Sequence, residues 1–127
     1  MEYVRCYADD SGETHFERLS FDLLPGPFAP PAPPLNFSAV NTASGFQIVE
    51  FPVGWFGEWH PTPIRQIFFI LSGTIIGEAS DGDRQEFGPG TAALLEDTWG
   101  KGHQSWVLGD QAVCSVVVQL PAQEQEQ

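Results

Sequence analysis

Two residues of the stretch WHPTPIRQ are candidates for chemistry: His60 and Gln66. Alternate residues of an extended strand share one face, so these side chains would line a single wall if the chain stays extended through Pro61 and Pro63. Imidazole binds first-row metals and transfers protons near neutral pH, whereas the amide oxygen of glutamine is a weak, neutral ligand. The stretch therefore fits a metal site, the remains of one, or a pocket that works without metal.

A second group of candidates lies in the segment LLEDTWGKGHQSW. His103 follows a loop whose glycines permit close backbone approach, and Asp97 precedes that loop. If Asp97 is buried beside Trp99, its charged form is disfavoured, which is how a carboxyl group becomes a general acid or base near neutral pH. We therefore expect Asp97, His103 and His60 to be the catalytic residues. The alternative for Asp97 is a turn-capping role at the end of a strand.

Aromatic and basic residues beside these candidates would bind a substrate. Trp59 and Trp99 would offer stacking surfaces to a flat apolar ligand. Lys101, the only lysine, would orient an anionic group. With Gln66, these residues form the predicted substrate-binding set. Arg65 points away from the wall described above, so we expect it to pair with a surface carboxylate.

The elements that must position these residues have the pattern of β-strands. Nearly every apolar run is short, rich in Val, Ile, Phe and Trp, and bounded by Gly, Pro, Asp or Ser. No segment predicts a helix. We expect an all-β fold with an amino-terminal β-hairpin over 1–24, a Pro-rich extended linker over 25–45, a barrel or sandwich over 46–120, and a frayed polar tail over 121–127.

Two predicted strands, in segments 67–71 and 113–118, are apolar on both of their alternating faces. A strand with one face in water would alternate more cleanly between apolar and polar residues. Something must therefore cover the second face. Another subunit is the simplest cover and predicts a homodimer; the alternative is that the amino-terminal hairpin folds over that face within one chain.

Composition limits the classes of partner and the compartment. The chain has 127 residues, enough for one domain, and its formal net charge of -12 would repel the phosphate backbone of nucleic acids. We therefore expect a small-molecule ligand and no nucleic acid. We also expect no membrane association, because no segment resembles a signal peptide or a membrane span. Cys6 and Cys114 belong to no metal or redox motif, so a reducing, cytoplasmic location is expected.

Taken together, these motifs resemble the cupins, small β-barrels that hold a metal or ligand inside the barrel. The first cupin motif is partly matched by Gly54, His60, Gln66 and Gly73, with Thr62 in place of its second histidine. The second cupin motif is matched by the turn at 89–90 and by the histidine of GKGH, with a longer intervening loop and valine at the position of its terminal asparagine. The segments GETHFE, WHPTPIRQ, SDGDRQEFGPG and DTWGKGH together look like those of short single-domain bacterial cupins.

The resemblance implies a cupin-type jelly-roll barrel, or double-stranded β-helix, that binds a small molecule. We expect a small cyclic or carboxylated organic compound, with His/Asp acid-base chemistry of an isomerase, cyclase or hydrolase if the protein is an enzyme. Two alternatives stay open: a metal-dependent dioxygenase or isomerase that binds Fe, Mn, Ni or Zn through His60, Gln66 and His103, and a non-catalytic ligand-binding protein. His15 would add a third imidazole if the hairpin closes one mouth of the barrel.

Overall fold

The computed structural model describes residues 1–123, and all regular structure in that part of the chain is β-strand. The strands are β1 (Glu2–Ala8), β2 (Thr14–Ser20), β3 (Leu24–Gly26), β4 (Leu35–Phe37), β5 (Gly45–Phe51), β6 (Phe56–His60), β7 (Gln66–Ser72), β8 (Ile75–Ala79), β9 (Arg84–Phe87), β10 (Ala92–Leu95), β11 (His103–Val107) and β12 (Val113–Gln119). The predicted all-β fold is confirmed. Residues 1–123 contain no helix with the length and apolar character that a membrane crossing requires.

Two large sheets pack against each other. One has six strands in the order β2-β1-β10-β7-β12-β5, and the other has four in the order β6-β11-β8-β9. Buried apolar side chains from both sheets form one core cluster: Ile70, Ile75, Phe87, Ala93, Val107 and Val113. Burial of such side chains between facing sheets is the main driving force for this arrangement. Within the described residues, neither sheet closes into a barrel.

The amino-terminal segments are attached to this core in two ways. The hairpin of β1 and β2 extends the six-stranded sheet sideways, with Val4 beside Ala93 in a parallel pairing of β1 with β10. The Pro-rich tract, which we expected to be an extended linker, contains a small sheet in which Leu24 pairs with Phe37. Of the polar tail predicted over 121–127, residues 124–127 lie outside the described part of the chain.

The outward face of the six-stranded sheet carries a continuous apolar surface. Val116 of β12 lies between Ile48 of β5 and Phe69 of β7. Val118 is flanked in the same way by Phe46 and Ile67. The outer patch, as we call it, consists of these six residues: Phe46, Ile48, Ile67, Phe69, Val116 and Val118. Phe46 and Ile48 are 74% and 61% exposed, so the hairpin, lying in the plane of the sheet, does not cover this part of the patch, whereas Ile67 is only 8% exposed and lies beside segment 41–43 of the same chain.

Side-chain ion pairs attach the β1–β2 turn to two neighbouring loops. Nε2 of His15 lies 2.7 Å from Oδ2 of Asp9, and Nδ1 lies 2.8 Å from Oδ2 of Asp81. Nζ of Lys101 lies 2.7 Å from Oε2 of Glu13. His15 is therefore engaged by surface carboxylates, and the structure does not bring it to the predicted site as a third imidazole.

The His15 contacts shift pKa values in opposite directions. Hydrogen bonds to Asp9 and then to Asp81 raise the pKa of His15, and the bond from His15 holds the pKa of Asp9 well below its usual range. The contribution of His15 to stability is complete below its unfolded pKa of about 6.5 and is lost as the pH rises through its raised folded pKa. The contribution of Asp9 is present above about pH 3.9 and is lost as the pH falls through its lowered folded pKa.

We expect His15→Gln to lower the melting temperature at about pH 5, with the difference from wild type shrinking toward about pH 9 as the wild-type imidazole loses its charge. Thermal unfolding followed by circular dichroism across this range measures the difference. Lys101→Gln is the matched control. The ion pair with Glu13 raises the pKa of Lys101, which is already high, so this lysine stays charged over the whole pH range. A His15→Gln effect that does not depend on pH would contradict the assignment.

Candidate functional site

A cavity of about 120 Å³ lies between the two large sheets. Its apolar walls come from both sheets and include Phe16, Phe51, Phe68, Ile70, Ile75, Phe87 and Leu95. Its polar lining consists of His60, Thr62, Gln66, His103 and Ser105. Three of these polar residues, His60, Gln66 and His103, are site residues predicted from the sequence, and the fold brings them to one cavity. An apolar chamber with a few convergent polar groups is the usual form of a small-molecule site.

A buried chain of hydrogen bonds ends at the wall of this cavity. Oγ1 of Thr62 donates to Oδ1 of Asp97 over 2.7 Å, and Oδ2 of the same carboxylate lies 2.6 Å from Nδ1 of His103. The exposed fractions of Thr62, Asp97 and His103 are 2%, 0% and 8%. Because a carboxylate only accepts hydrogen bonds, the Nδ1–H of His103 is the donor, and in the neutral ring Nε2 keeps a free lone pair. Nε2 makes no hydrogen bond to any residue in the described part of the chain.

The local backbone explains why these residues meet. Asp97 follows the end of β10, and its carbonyl accepts a hydrogen bond from the backbone N–H of Thr62 at 2.9 Å. The glycine-containing loop then turns the chain so that His103 can begin β11. Gly100 and Gly102 in this loop have φ angles of +87° and +75°, a region that other residues rarely adopt. The predicted acid-base pair is thus formed across one short loop.

His60 lies at the end of β6, directly opposite His103 in the pairing of β6 with β11. The two imidazole rings are 5.1 Å apart between centroids. Nδ1 of His60 lies 2.5 Å from the carbonyl oxygen of Glu58, which accepts its hydrogen bond. His60 is exposed where His103 is buried, so it stands at the mouth of the cavity. The chain is not a strand between His60 and Gln66, yet both side chains still reach the cavity.

The other predicted binding residues lie elsewhere. Trp59 and Trp99 are 46% and 53% exposed and lie at the surface. Lys101 bonds to Glu13, as described above, and its side chain is 64% exposed. Arg65 points away from the cavity, and its Nε binds Oε2 of Glu96 at 2.6 Å; this carboxylate is buried and is not the surface carboxylate that we expected. Among the described residues, no Lys or Arg side chain lines the cavity.

Cys6 is a part of the site that sequence reasoning did not include. Its thiol is 1% exposed, and one ligand atom from each of Cys6, Asp97 and His103 lies within 4.8 Å of the others. Burial, together with the nearby charge of Asp97, raises the pKa of the Cys6 thiol. The parallel pairing that places Cys6 beside Leu95 creates this proximity. No local spacing in the sequence could have revealed it, because the partners lie near opposite ends of the chain.

No protein-family model and no curated protein matches this chain. One similar solved structure is the crystal structure of protein NMB1881 from Neisseria meningitidis, which is 18% identical to this chain. The similarity covers 60% of this chain and 72% of that one, with a TM-score of 0.44.

The predicted metal ligands, His60, Gln66 and His103, all line the cavity. They offer two imidazole nitrogens and one neutral amide oxygen; in His103 the nitrogen with a free lone pair is Nε2, since Nδ1 is hydrogen-bonded to Asp97 when no metal is bound. Catalytic metal sites usually have three or four imidazole or carboxylate ligands. The described residues provide no third group of this kind around His60. This donor set fits a resident metal poorly, so no step of the mechanism below depends on one.

The close approach of Gly102 to His60 gives a stability test. A Cβ at Gly102 would lie 2.2 Å from the carbonyl oxygen of His60, whereas a Cβ at Gly109, which has a similar φ, would meet nothing within 4 Å. We expect Gly109→Ala to cost about 1–2 kcal/mol from its φ angle alone. Gly102→Ala should cost a further 1–3 kcal/mol, roughly, from the steric clash. Urea unfolding of both variants measures this difference, and equal losses would contradict the tight approach.

Proposed function

We propose that this protein binds a small single-ring organic molecule in the inter-sheet cavity and transfers a proton to or from it through His103. The observation that carries the proposal is the buried chain from Thr62 through Asp97 to His103, which ends at the wall of an otherwise apolar cavity. A histidine held in one tautomer by a carboxylate is well suited to act as a general base. The reaction class we favour is isomerisation or cyclisation, both of which need a proton removed and returned.

Each residue of the chain has a distinct part in this mechanism. The Nε2 lone pair of His103 takes a proton from the bound molecule, which leaves an imidazolium. Asp97 is a positioning residue: it accepts the Nδ1–H bond at 2.6 Å and stabilises the positive charge that develops on the ring. Thr62 donates a hydrogen bond to the other carboxylate oxygen and so helps to orient the carboxylate toward His103. A positioned base of this kind contributes roughly 10²–10⁴-fold to a rate.

The size and polarity of the cavity favour a neutral ring. Its volume of about 120 Å³ is close to the roughly 150 Å³ of an apolar protein cavity that binds benzene. A carboxylate inside it would lack a cationic partner, because Arg65 and Lys101 are engaged by Glu96 and Glu13. Burying an unpaired charge is costly. Of the two ligand types expected from the sequence, a cyclic compound with a weakly polar group, such as a ketone, is therefore favoured over a carboxylated one.

We also propose a cupin-type jelly roll as the finer description of the fold. Two facing sheets, antiparallel except for the pairing of β1 with β10, have His60, Gln66 and His103 turned toward the space between them, and this arrangement supports the assignment. The free cysteines Cys6 and Cys114 agree with a reducing compartment, and we propose the cytoplasm.

The proton-transfer proposal can be tested with cyclopentanone, a single-ring ketone with exchangeable protons beside its carbonyl. We expect the wild-type protein to accelerate exchange of these protons for deuterium in D2O, as followed by NMR. His103→Gln should remove the acceleration, and Asp97→Asn should reduce it by roughly 10²-fold because the ring loses its orienting carboxylate. His15→Gln, which alters a histidine outside the cavity, is the matched control and should keep the wild-type rate.

Three outcomes of this experiment would contradict the proposal. Binding seen as a raised melting temperature, with no exchange above that of free imidazole, would indicate a non-catalytic binding protein. Loss of exchange on addition of a chelator, with recovery on adding metal, would indicate the metal-dependent alternative that uses His60, Gln66 and His103. Neither binding nor exchange would show that the cavity does not accept a ring of this size.

We propose that a second copy of the chain covers the outer patch. The exposed apolar side chains of the patch are favoured to leave water, although Glu50, which follows Ile48 on the same face of β5, lies beside them. The strands of the patch continue to the open edge of the sheet, where β5 pairs only with β12. Phe46 and Ile48, the most exposed members, lie on that edge strand.

The dimer prediction is tested by placing a charge in the outer patch. In sedimentation equilibrium we expect the wild-type protein to have about twice the 14.0 kDa monomer mass. Ile48→Lys should be monomeric, because burying the charge opposes association, and its circular dichroism spectrum should be unchanged. Val40→Lys is the control, since Val40 is 99% exposed and lies outside the patch; it should remain dimeric. A monomeric wild type at micromolar concentration would overturn the prediction.

A further inference from the structure

Cys6, Asp97 and His103 form a cluster of three potential metal ligands. The proton-transfer function uses Asp97 and His103 but gives no role to Cys6. All three are buried, with exposed fractions of 1%, 0% and 8%, and a ligand atom from each lies within 4.8 Å of the others. Cys6 and Asp97 are not among the cavity-lining residues, so the group lies behind the wall that His103 contributes to. A thiol, a carboxylate and an imidazole are three of the commonest ligand types for Zn²⁺.

We infer that Cys6, Asp97 and His103 bind a divalent metal ion of the zinc type, through the thiolate, Oδ2 and Nδ1. This set shares only His103 with the ligands predicted from the sequence, and it uses the other nitrogen of that ring. Nδ1 is assigned because it is the ring nitrogen that faces Asp97, at 2.6 Å from Oδ2. The inference goes beyond the proposed function and does not depend on it.

The movements needed to form this site are small. With Zn–S near 2.3 Å and Zn–N or Zn–O near 2.0–2.1 Å, ligand atoms in a tetrahedron lie about 3.3–3.6 Å apart. The carboxylate and imidazole must separate slightly from their present 2.6 Å, and the thiol must move inward by about 1 Å at most from the 4.8 Å limit of the cluster. Thr62 already holds Oδ1 of Asp97, which leaves Oδ2 free to turn from the imidazole to a metal.

Charge balance also favours the ion. Without metal, the Asp97 carboxylate and the Cys6 thiol lie close together, and both are shielded from solvent. On binding, the ion displaces the thiol proton, which leaves to solvent. The proton on Nδ1 of His103 is exchanged through solvent for one on Nε2, so the imidazole binds the metal as a neutral ligand. The divalent cation then balances one thiolate and one carboxylate, so the buried group becomes neutral as a whole. A buried cluster without net charge avoids the large cost of an uncompensated ion.

The test uses the untagged full chain, freed of metal with a chelator and titrated separately with Zn²⁺ and with Co²⁺, whose bond to a thiolate gives a charge-transfer band in the near ultraviolet. We expect one equivalent of either ion per chain and a thiolate band with Co²⁺. Cys114→Ser removes the only other cysteine and should keep the band. Cys6→Ser should lose the thiolate band. Its metal affinity should fall by more than the roughly 10–100-fold seen when a residue that only supports a ligand is removed, because Cys6 is itself a ligand.

The variants distinguish this metal site from one that uses Cys114 or His60 as a ligand. His60→Ala should leave the band unchanged, because His60 lies at the cavity mouth and is not a ligand here. Absence of metal uptake by the wild-type protein, uptake without a thiolate band, or loss of the band in Cys114→Ser would each overturn the inference. If Cys6→Ser does not fold, Cys114→Ser decides alone. The exchange of cyclopentanone protons is measured on metal-free protein, so failure of that activity and failure of this site are distinguished.

Discussion

The buried carboxylate of Asp97 is the constraint around which the site is arranged. It is fully shielded from solvent and must be satisfied by donors within the protein. Thr62 and His103 satisfy its two oxygens, and they come from different segments of the chain. Leaving such a charge without partners costs about 3–5 kcal/mol. The segment after β6, the end of β10 and the start of β11 are therefore held together by one side chain.

The cavity exists because small residues occur at three of its lining positions. Gly77, Ala93 and Ser105 line it from strands of both sheets. Larger side chains at these positions would fill the space, as the core cluster fills the remainder of the interface between the sheets. Gly77 is close to that limit, since a Cβ there would already lie 3.2 Å from the ring of Phe87. The chamber is thus produced by the same packing that stabilises the fold.

Local patterns in the sequence predicted those parts of the structure that depend on local physics. Strand periodicity and turn residues indicated the all-β fold, and the short loop between Asp97 and His103 indicated that these residues meet. The positions of Trp59, Trp99 and Lys101 could not be predicted in this way. Trp59 precedes His60 on β6, so the two side chains point to opposite faces. Trp99 and Lys101 lie in the loop between β10 and β11, where no strand periodicity fixes their direction, and the partner of Lys101 is Glu13 in a distant turn. The role of Cys6 depends on which strand β1 pairs with, and topology of that kind is not encoded in spacing.

The parallel pairing of β1 with β10 joins two strands that lie far apart in the sequence. Phe16, on the same hairpin, supplies part of the cavity wall, and the carbonyl of Cys6 accepts a hydrogen bond from the backbone N–H of Glu96 at 2.8 Å. Contacts so distant in sequence require closure of a long loop and form slowly. During synthesis β1 therefore cannot take its place in the sheet until β10 has been made, and the part of the cavity wall that Phe16 supplies depends on this pairing.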